Sequence, residues 1–236
     1  MKEQTSSFSI KKIAILVTIL ALPGFCYYLL QEKGENRYKS LPFYGEKKLT
    51  GTFHSKRGKQ IPDTLYHTAG EFTMSDSEGK QLVFGPDSSI AVVSFFFLEN
   101  ESLAEPINGA MQRIAERFQK NAMVKLYSID IDPVRDTANQ LKDYRRKWGV
   151  YKQWYLLRGN NQAEISSLAQ QKFMLDVVYD PKTGLPVTHS SAIVLLDSKR
   201  RIRGYYDALI KADMDKLIDE IKLLLTEEFR NISIRQ

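Results

Sequence analysis

Between Lys12 and Glu32 the chain runs for nineteen residues without a charge, IAILVTILALPGFCYYLLQ. As a helix rising roughly 1.5 Å per residue, such a segment covers most of a ~30 Å hydrocarbon layer, so the water-soluble fold must be built from the residues after it. Lys2, Lys11 and Lys12 precede the run. By the cytoplasmic excess of basic residues, this places residues 1–12 in the cytoplasm as a tail and the remainder on the extracytoplasmic, periplasmic side of a cell membrane. Two readings compete. Pro23-Gly24 breaks the run after a short apolar stretch, as in a cleaved signal peptide. Phe25, Tyr27 and Tyr28 leave no small-x-small cleavage site, and Phe25 is too bulky before Cys26 for a lipoprotein signal. The uncleaved single-pass anchor over residues 13–31 is the stronger reading, with Tyr27 and Tyr28 suited to the interfacial belt.

Cys26 is the chain's single cysteine and lies inside that run. One sulfur cannot close an intramolecular disulfide, form a CxxC or CxxxC pair, or build a multi-cysteine metal site. Within an anchor it reads as a buried, inert thiol. The hydrophobic content of 43% over 236 residues belongs to a globular protein with a substantial core. The net charge of +6 and pI near 9.2 invite a nucleic-acid reading. Residues 1–40 already carry +3, and the other 196 residues hold 28 basic and 25 acidic residues, a near-balance that reads as an ordinary solvated surface, so no nucleic-acid partner is expected.

Residues 32–66 mix charge with Gly and Pro without a period and read as a linker, leaving residues 67–236 as the folded domain. Phe72–Met74 and Leu82–Phe84 flank the turn cluster Asp76-Ser-Glu-Gly79, a β-hairpin pattern. Ile90–Leu98 (IAVVSFFFL) is a strand buried on both faces. Leu103, Ile107, Met111, Ile114 and Phe118 recur at helical spacing. A strand over 124–131, a helix over 137–148 ending at Gly149, a short strand over 154–157 and a helix through Ile165–Phe173 come next. A second hairpin (192–196 and 202–206) and a final helix through Met214–Leu225 complete the pattern. The order is that of an α/β thioredoxin-like fold opened by an N-terminal β-hairpin and preceded by one transmembrane helix.

Several segments sharpen this. Ser94-Phe-Phe-Phe97, Ile129-Asp-Ile-Asp132-Pro133-Val-Arg135-Asp136-Thr137, Thr188-His189-Ser190 and the opening hairpin Phe72–Lys80 together resemble the Sco/SenC family. The resemblance implies a membrane-anchored thioredoxin-fold protein that handles copper during cytochrome c oxidase assembly. In that family a Cys-x-x-x-Cys pair comes after the Phe-rich strand and joins a later histidine as the copper site. Here an ungapped placement puts Asn100 and Ala104 at the two cysteine positions, and His189 at the histidine. Soft thiolates select Cu(I), and a thiolate pair performs disulfide exchange. The resemblance with both sulfurs missing implies an accessory of respiratory assembly or copper handling that has lost dithiol redox and copper–thiolate chemistry. Its partners are then a membrane and a respiratory complex or copper protein. No cofactor is expected from the residues, and copper enters only through the resemblance. Two alternatives stay open: copper delivery through His189 with non-cysteine ligands, and a generic extracytoplasmic protein-binding module.

The remaining candidates have plainer readings. His54 and His67 could join His189 at Cu(II) or Zn(II), but no helical spacing preorganises them. Asp130, Asp132, Arg135 and Asp136 lie at a strand-to-helix junction, where Asp136 is expected to cap the helix and Arg135 to pair with a neighbouring carboxylate. Glu99, Glu101 and Glu105 make an acidic solvated loop. Arg200, Arg201 and Arg203, beside Tyr205 and Tyr206, read as a hairpin turn facing water or anionic lipid. No P-loop, GxGxxG, HExxH or GxSxG is present, and no enzymatic activity is expected.

Overall fold

The computed structural model describes residues 10–33, 40–56 and 58–233. The chain divides into two compact units, Met1–Lys39 and Ser40–Gln236. In the first, helix α1 (Ile10–Lys33) runs on through Pro23, so the Pro23-Gly24 step to which the competing signal-peptide reading points does not interrupt it. Its Ile10–Leu29 stretch has a mean hydropathy of 1.8 and is long and apolar enough to cross a membrane. Cys26 on this helix is unpaired.

The second unit is built on a seven-stranded sheet ordered β11 (Ile202–Asp207), β10 (Ala192–Leu196), β5 (Ile90–Phe96), β6 (Val124–Asp130), β7 (Trp154–Arg158), β3 (Phe72–Asp76) and β4 (Gln81–Phe84). At its centre β5, β6 and β7 run parallel. The two expected hairpins, β3 with β4 and β10 with β11, add antiparallel edges on opposite sides. Parallel strands need crossovers, and α2 (Glu101–Phe118) and α3 (Ala138–Trp148) supply them.

The core has two layers, one on each face of the sheet. Ile90, Val92 and Phe96 of β5 meet Ile107, Met111, Ile114 and Phe118 of α2, Leu141 of α3, and Leu217, Ile221 and Leu224 of α5 (Lys211–Ser233). Ala91, Val93 and Phe95 face the other way, toward Phe84, Phe173 and Ile165 of α4 (Gln162–Ser167), which continues as a π-helical turn over Leu168–Lys172. Each large side chain fully buried here contributes roughly 1.5–3 kcal/mol against exposure. All core residues lie between Leu41 and Leu225, so the second unit carries its own core. Central strands covered on both sides bury their polar residues too. Ser94 and Ser128 hydroxyls lie 3.0 Å apart, and Trp154 Nε1 donates to Ser128 Oγ at 3.0 Å, so these polar groups are satisfied inside the sheet.

Two elements carry no clear signal in the sequence. Part of the expected linker folds as a hairpin, β1 (Lys47–Lys56) on β2 (Lys59–Tyr66). Its register shifts between Leu49 and Phe53, which hides the alternation a strand normally shows. Cross-strand polar bonds tie it: Thr52 Oγ1 donates to Asp63 Oδ2 at 2.7 Å and His54 Nδ1 lies 2.6 Å from Asp63 Oδ1. These bonds hold the Asp63 carboxyl below its usual range, Thr52 contributing most. The second is the short pair β8 (Val177–Tyr179) and β9 (Pro186–His189), too brief to carry a period.

Candidate functional site

The site expected from the sequence lies where the central parallel strands end. β5 leads through Phe97 and Leu98 to Asn100, the residue before α2. Asn100 O accepts from the backbone N–H of Leu103 and of Ala104, at 3.1 and 2.8 Å, starting the helix. Its side chain makes no cap; Oδ1 instead accepts from Ser102 Oγ at 2.7 Å. Ala104, one turn on, is 1% exposed and belongs to the core. The two positions thus present an amide engaged with a neighbouring hydroxyl and a buried methyl. Neither is a soft donor, so this junction does not fit Cu(I) as the cargo of a thiolate site.

Beside it, β6 delivers a buried acidic cluster. Asp130, Asp132 and Asp136 are respectively 0%, 0% and 4% exposed. Asp132 O accepts from the Arg135 and Asp136 N–H groups at 3.1 and 2.9 Å, wrapping the chain into a tight turn. Arg135 pairs with Asp132, as expected, and reaches Glu99 at 3.8 Å. Asp136 does not cap α3. Thr137 does, in a reciprocal capping box with Gln140, and Asp136 turns inward to accept Leu98 N–H on Oδ2 at 2.9 Å. The carboxylate thereby ties the segment before Asn100 to the β6–α3 turn. Arg158 at the end of β7 secures the same turn, donating from Nε to Asp136 O at 2.9 Å and from its guanidinium to Pro133 O. From β8, Tyr179 donates its hydroxyl to Ile131 O at 2.5 Å. Arg158 and Tyr179 were not anticipated, since single residues on short strands carry no pattern.

Asp130 Oδ1 accepts Asp132 N–H at 3.0 Å, whereas Oδ2 meets no N–H or hydroxyl donor among the described residues and lies against Asp136. Burial pushes the Asp130 carboxyl well above its usual range, and the adjacent Asp136 charge pushes it further. Asp136 is raised as well, chiefly by burial and partly offset by the Leu98 N–H. Two carboxyls buried against each other resist ionising together, Asp130 more strongly than Asp136. Burial and the nearby Asp130 and Asp132 also raise the Tyr179 phenol.

The other expected residues do not converge here. His54 is held by Asp63 on the β1–β2 hairpin, and His67 Nε2 lies 2.9 Å from Lys172 O. His189 ends β9 opposite Val177; its side chain lies outside the described residues. Among the described residues, no group of three or more His, Cys, Asp or Glu is arranged to hold a metal ion. Glu99 is exposed, and Glu105 pairs with Lys147.

The arginine cluster departs most from expectation. Arg200 and Arg203 are 0% and 2% exposed, so these two side chains turn inward, while Lys199 at the same turn is exposed. Arg203 Nη2 binds Glu227 Oε2 at 2.7 Å and Leu41 O at 2.8 Å, while Nη1 lies 3.4 Å from Asp197 Oδ2. Arg200 reaches Asp87 at 2.9 Å and Ser89 O at 2.8 Å, with its guanidinium 4.9 Å over the Phe84 ring.

A parallel-centred sheet with hairpin edges, and a strand-to-helix junction at the end of its first central strand, defines a thioredoxin-like Sco fold. The SCO1/SenC family model matches residues 62–226, most of the chain, and the protein belongs to that family. Solved structures agree on the fold. BsSco, a member of the Sco family of cytochrome c oxidase assembly proteins, is 24% identical with a TM-score of 0.60, covering 70% of this chain and 98% of its own. A SCO1/SenC family lipoprotein from Bacillus anthracis is 19% identical with a TM-score of 0.58, covering 65% of this chain and 92% of its own. Arabidopsis thaliana ScoI, solved with copper bound, is 20% identical with a TM-score of 0.51, covering 65% of this chain and 97% of its own. No curated protein sequence matches the chain.

Proposed function

We propose that this protein is a membrane-anchored Sco-type accessory of cytochrome c oxidase assembly or copper handling that works by binding partners and not by thiolate copper transfer or dithiol exchange. Residues 1–12 are then a cytoplasmic tail, residues 13–31 the anchor, and the folded unit extracytoplasmic. One observation carries the reading: the two positions that the family-like segments assign to cysteines hold Asn100, hydrogen-bonded to Ser102, and Ala104, sealed into the core. The kinship with BsSco, of a family of oxidase assembly proteins, and with a ScoI that binds copper supports the assembly and copper-handling setting.

Titrating the 40–236 unit with Cu(I) against a competing chelator tests this. No stoichiometric tight binding is expected, and a tight one-to-one complex overturns the reading. The positive control is Asn100→Cys/Ala104→Cys, which places two sulfurs four residues apart at the start of α2 and is expected to gain the binding that the native chain lacks. His189→Ala is expected to leave Cu(II) affinity unchanged; a loss would favour copper delivery through that histidine.

A further inference from the structure

Residues 67–236 hold 23 Lys+Arg and 23 Asp+Glu, so they contribute nothing to the net charge of +6. Half of the surplus belongs to residues 1–40. The other half lies in residues 41–66, where Lys47, Lys48, Lys56, Arg57 and Lys59 face only Glu46 and Asp63 in number. This second basic cluster coincides with the β1–β2 hairpin, a two-stranded sheet with no ladder to the main one among the described residues. An isolated two-stranded hairpin is marginal in water.

The hairpin also exposes apolar side chains. Leu49, Phe53 and Leu65 are 70%, 63% and 62% exposed. Leu49 stands opposite Thr64 and Phe53 opposite Pro62, which puts Leu49 and Phe53 on one face. Leu65, opposite Lys48, stands on the other face with the partly exposed Ile61. A rigid protein partner covers one face of a two-stranded ribbon. Apolar residues on both faces, among lysines, suit a fluid interface that surrounds the ribbon. A membrane is within reach by connectivity alone: Lys33, which ends α1, and Lys47, which begins β1, are joined by no more than roughly 50 Å of chain.

We propose that the β1–β2 hairpin is a membrane-surface contact, in which Lys47 and Lys48 attract anionic lipid headgroups while Leu49, Phe53 and Leu65 enter the interfacial layer. Lys48 is not withheld from this role by its 3.2 Å pair with Glu46, because both side chains are about two-thirds exposed. The contact rests on the anchored reading only in requiring a nearby membrane, and a unit lacking α1 tests it separately.

The 40–236 unit, which carries its own core, is mixed with vesicles of phosphatidylcholine alone or containing phosphatidylglycerol, and co-sedimentation is measured at low and raised salt. Binding is expected to the anionic vesicles only and to fall as salt rises. Lys47→Gln/Lys48→Gln is expected to lower the partition coefficient roughly 25-fold, at about five-fold per basic residue near an anionic surface. Leu49→Ser/Phe53→Ser is expected to weaken binding while leaving its salt dependence in place. Far-ultraviolet circular dichroism melts confirm that each variant remains folded. Absence of binding to the anionic vesicles, equal binding to phosphatidylcholine alone, or binding indifferent to both pairs of substitutions overturns the proposal.

Discussion

The two ends of the central sheet bury charge in opposite ways. At the end where β5 begins, cations and anions are matched. Asp197, fully buried, accepts from Arg201 Nε at 2.7 Å and from the backbone N–H of Lys199 and Arg201, both at 3.0 Å. Arg203 spans from Asp197 to Glu227, and Arg200 meets Asp87, whose carboxyl, raised by burial but lowered more by Lys125 and Ser89, falls to about 2. The guanidinium of Arg203 also lies 4.2 Å from the Phe43 ring centroid, so the cluster straps the chain around Leu41–Phe43 to β11 and α5. At the end where β5 leads into α2, Asp130 and Asp136 are buried against each other with both carboxyls raised, and no cation among the described residues pairs with Asp130. A matched network specifies packing, whereas an unmatched acid pair makes the fold respond to pH. In this protein the acid pair lies beside Asn100, at the junction where the family-like segments place the cysteine positions.

Breaking the matched end should have the larger effect. Asp197→Ala leaves Arg201 and the buried Arg203 without their shared acceptor, and the loss of one partner of such a pair costs about 3–5 kcal/mol. Urea unfolding of the 40–236 unit should show that loss; one under about 1 kcal/mol would mean that the network is not what holds the β10–β11 turn.

At the other end, pH is the lever. Both partners of the Asp130–Asp136 pair are raised in the folded state above the 3.8 of a free carboxyl. Their stabilising contribution is therefore complete below that value and is lost as pH rises through the folded values. One proton's difference between native and unfolded states corresponds to at most about 1.4 kcal/mol per pH unit. Asp130→Asn removes the more strongly raised carboxyl, and unfolding measured from about pH 4 upward should lose this downward slope relative to the native protein. An identical slope in the variant would show that Asp130 binds no more protons in the native state than in the unfolded chain.

Legibility in the sequence divides along the same lines. The strands and helices that bury long apolar runs, such as Ile90–Phe96 and the α2 stripe, announce themselves by period. So does the loss of sulfur, because Asn100 and Ala104 lie on one short, recognisable segment. The arginine cluster misleads: Arg200 and Arg203 are polar and adjacent to a turn, and the groups that bury them (Asp87, Glu227, the Leu41 carbonyl) are distant in sequence. Asp130 is hidden for a different reason, since a central parallel strand covered on both faces buries every position regardless of polarity. The α3 cap, by contrast, is written in the chain. Thr137-x-x-Gln140 is the sequence form of a capping box, and it assigns the cap to Thr137, freeing Asp136 to bind Leu98 N–H.

That freed carboxylate gives the smallest and most local test. Thr137→Ala removes the hydroxyl that accepts Gln140 N–H at 3.3 Å, and loss of such a cap typically costs about 1 kcal/mol. If Thr137 alone caps α3, the cost should appear in chemical denaturation with the pH slope of the acid pair unchanged, because Asp136 keeps its bond to Leu98. If Asp136 instead swings out to replace the lost cap, the stability loss shrinks, the Leu98 N–H is released, and hydrogen exchange at Leu98 accelerates. The second outcome would show that the tie between the β6–α3 turn and the strand-to-helix junction is held only by competition for one carboxylate, in contrast to the arginine network at the other end of the sheet, where the buried Asp197 has several partners.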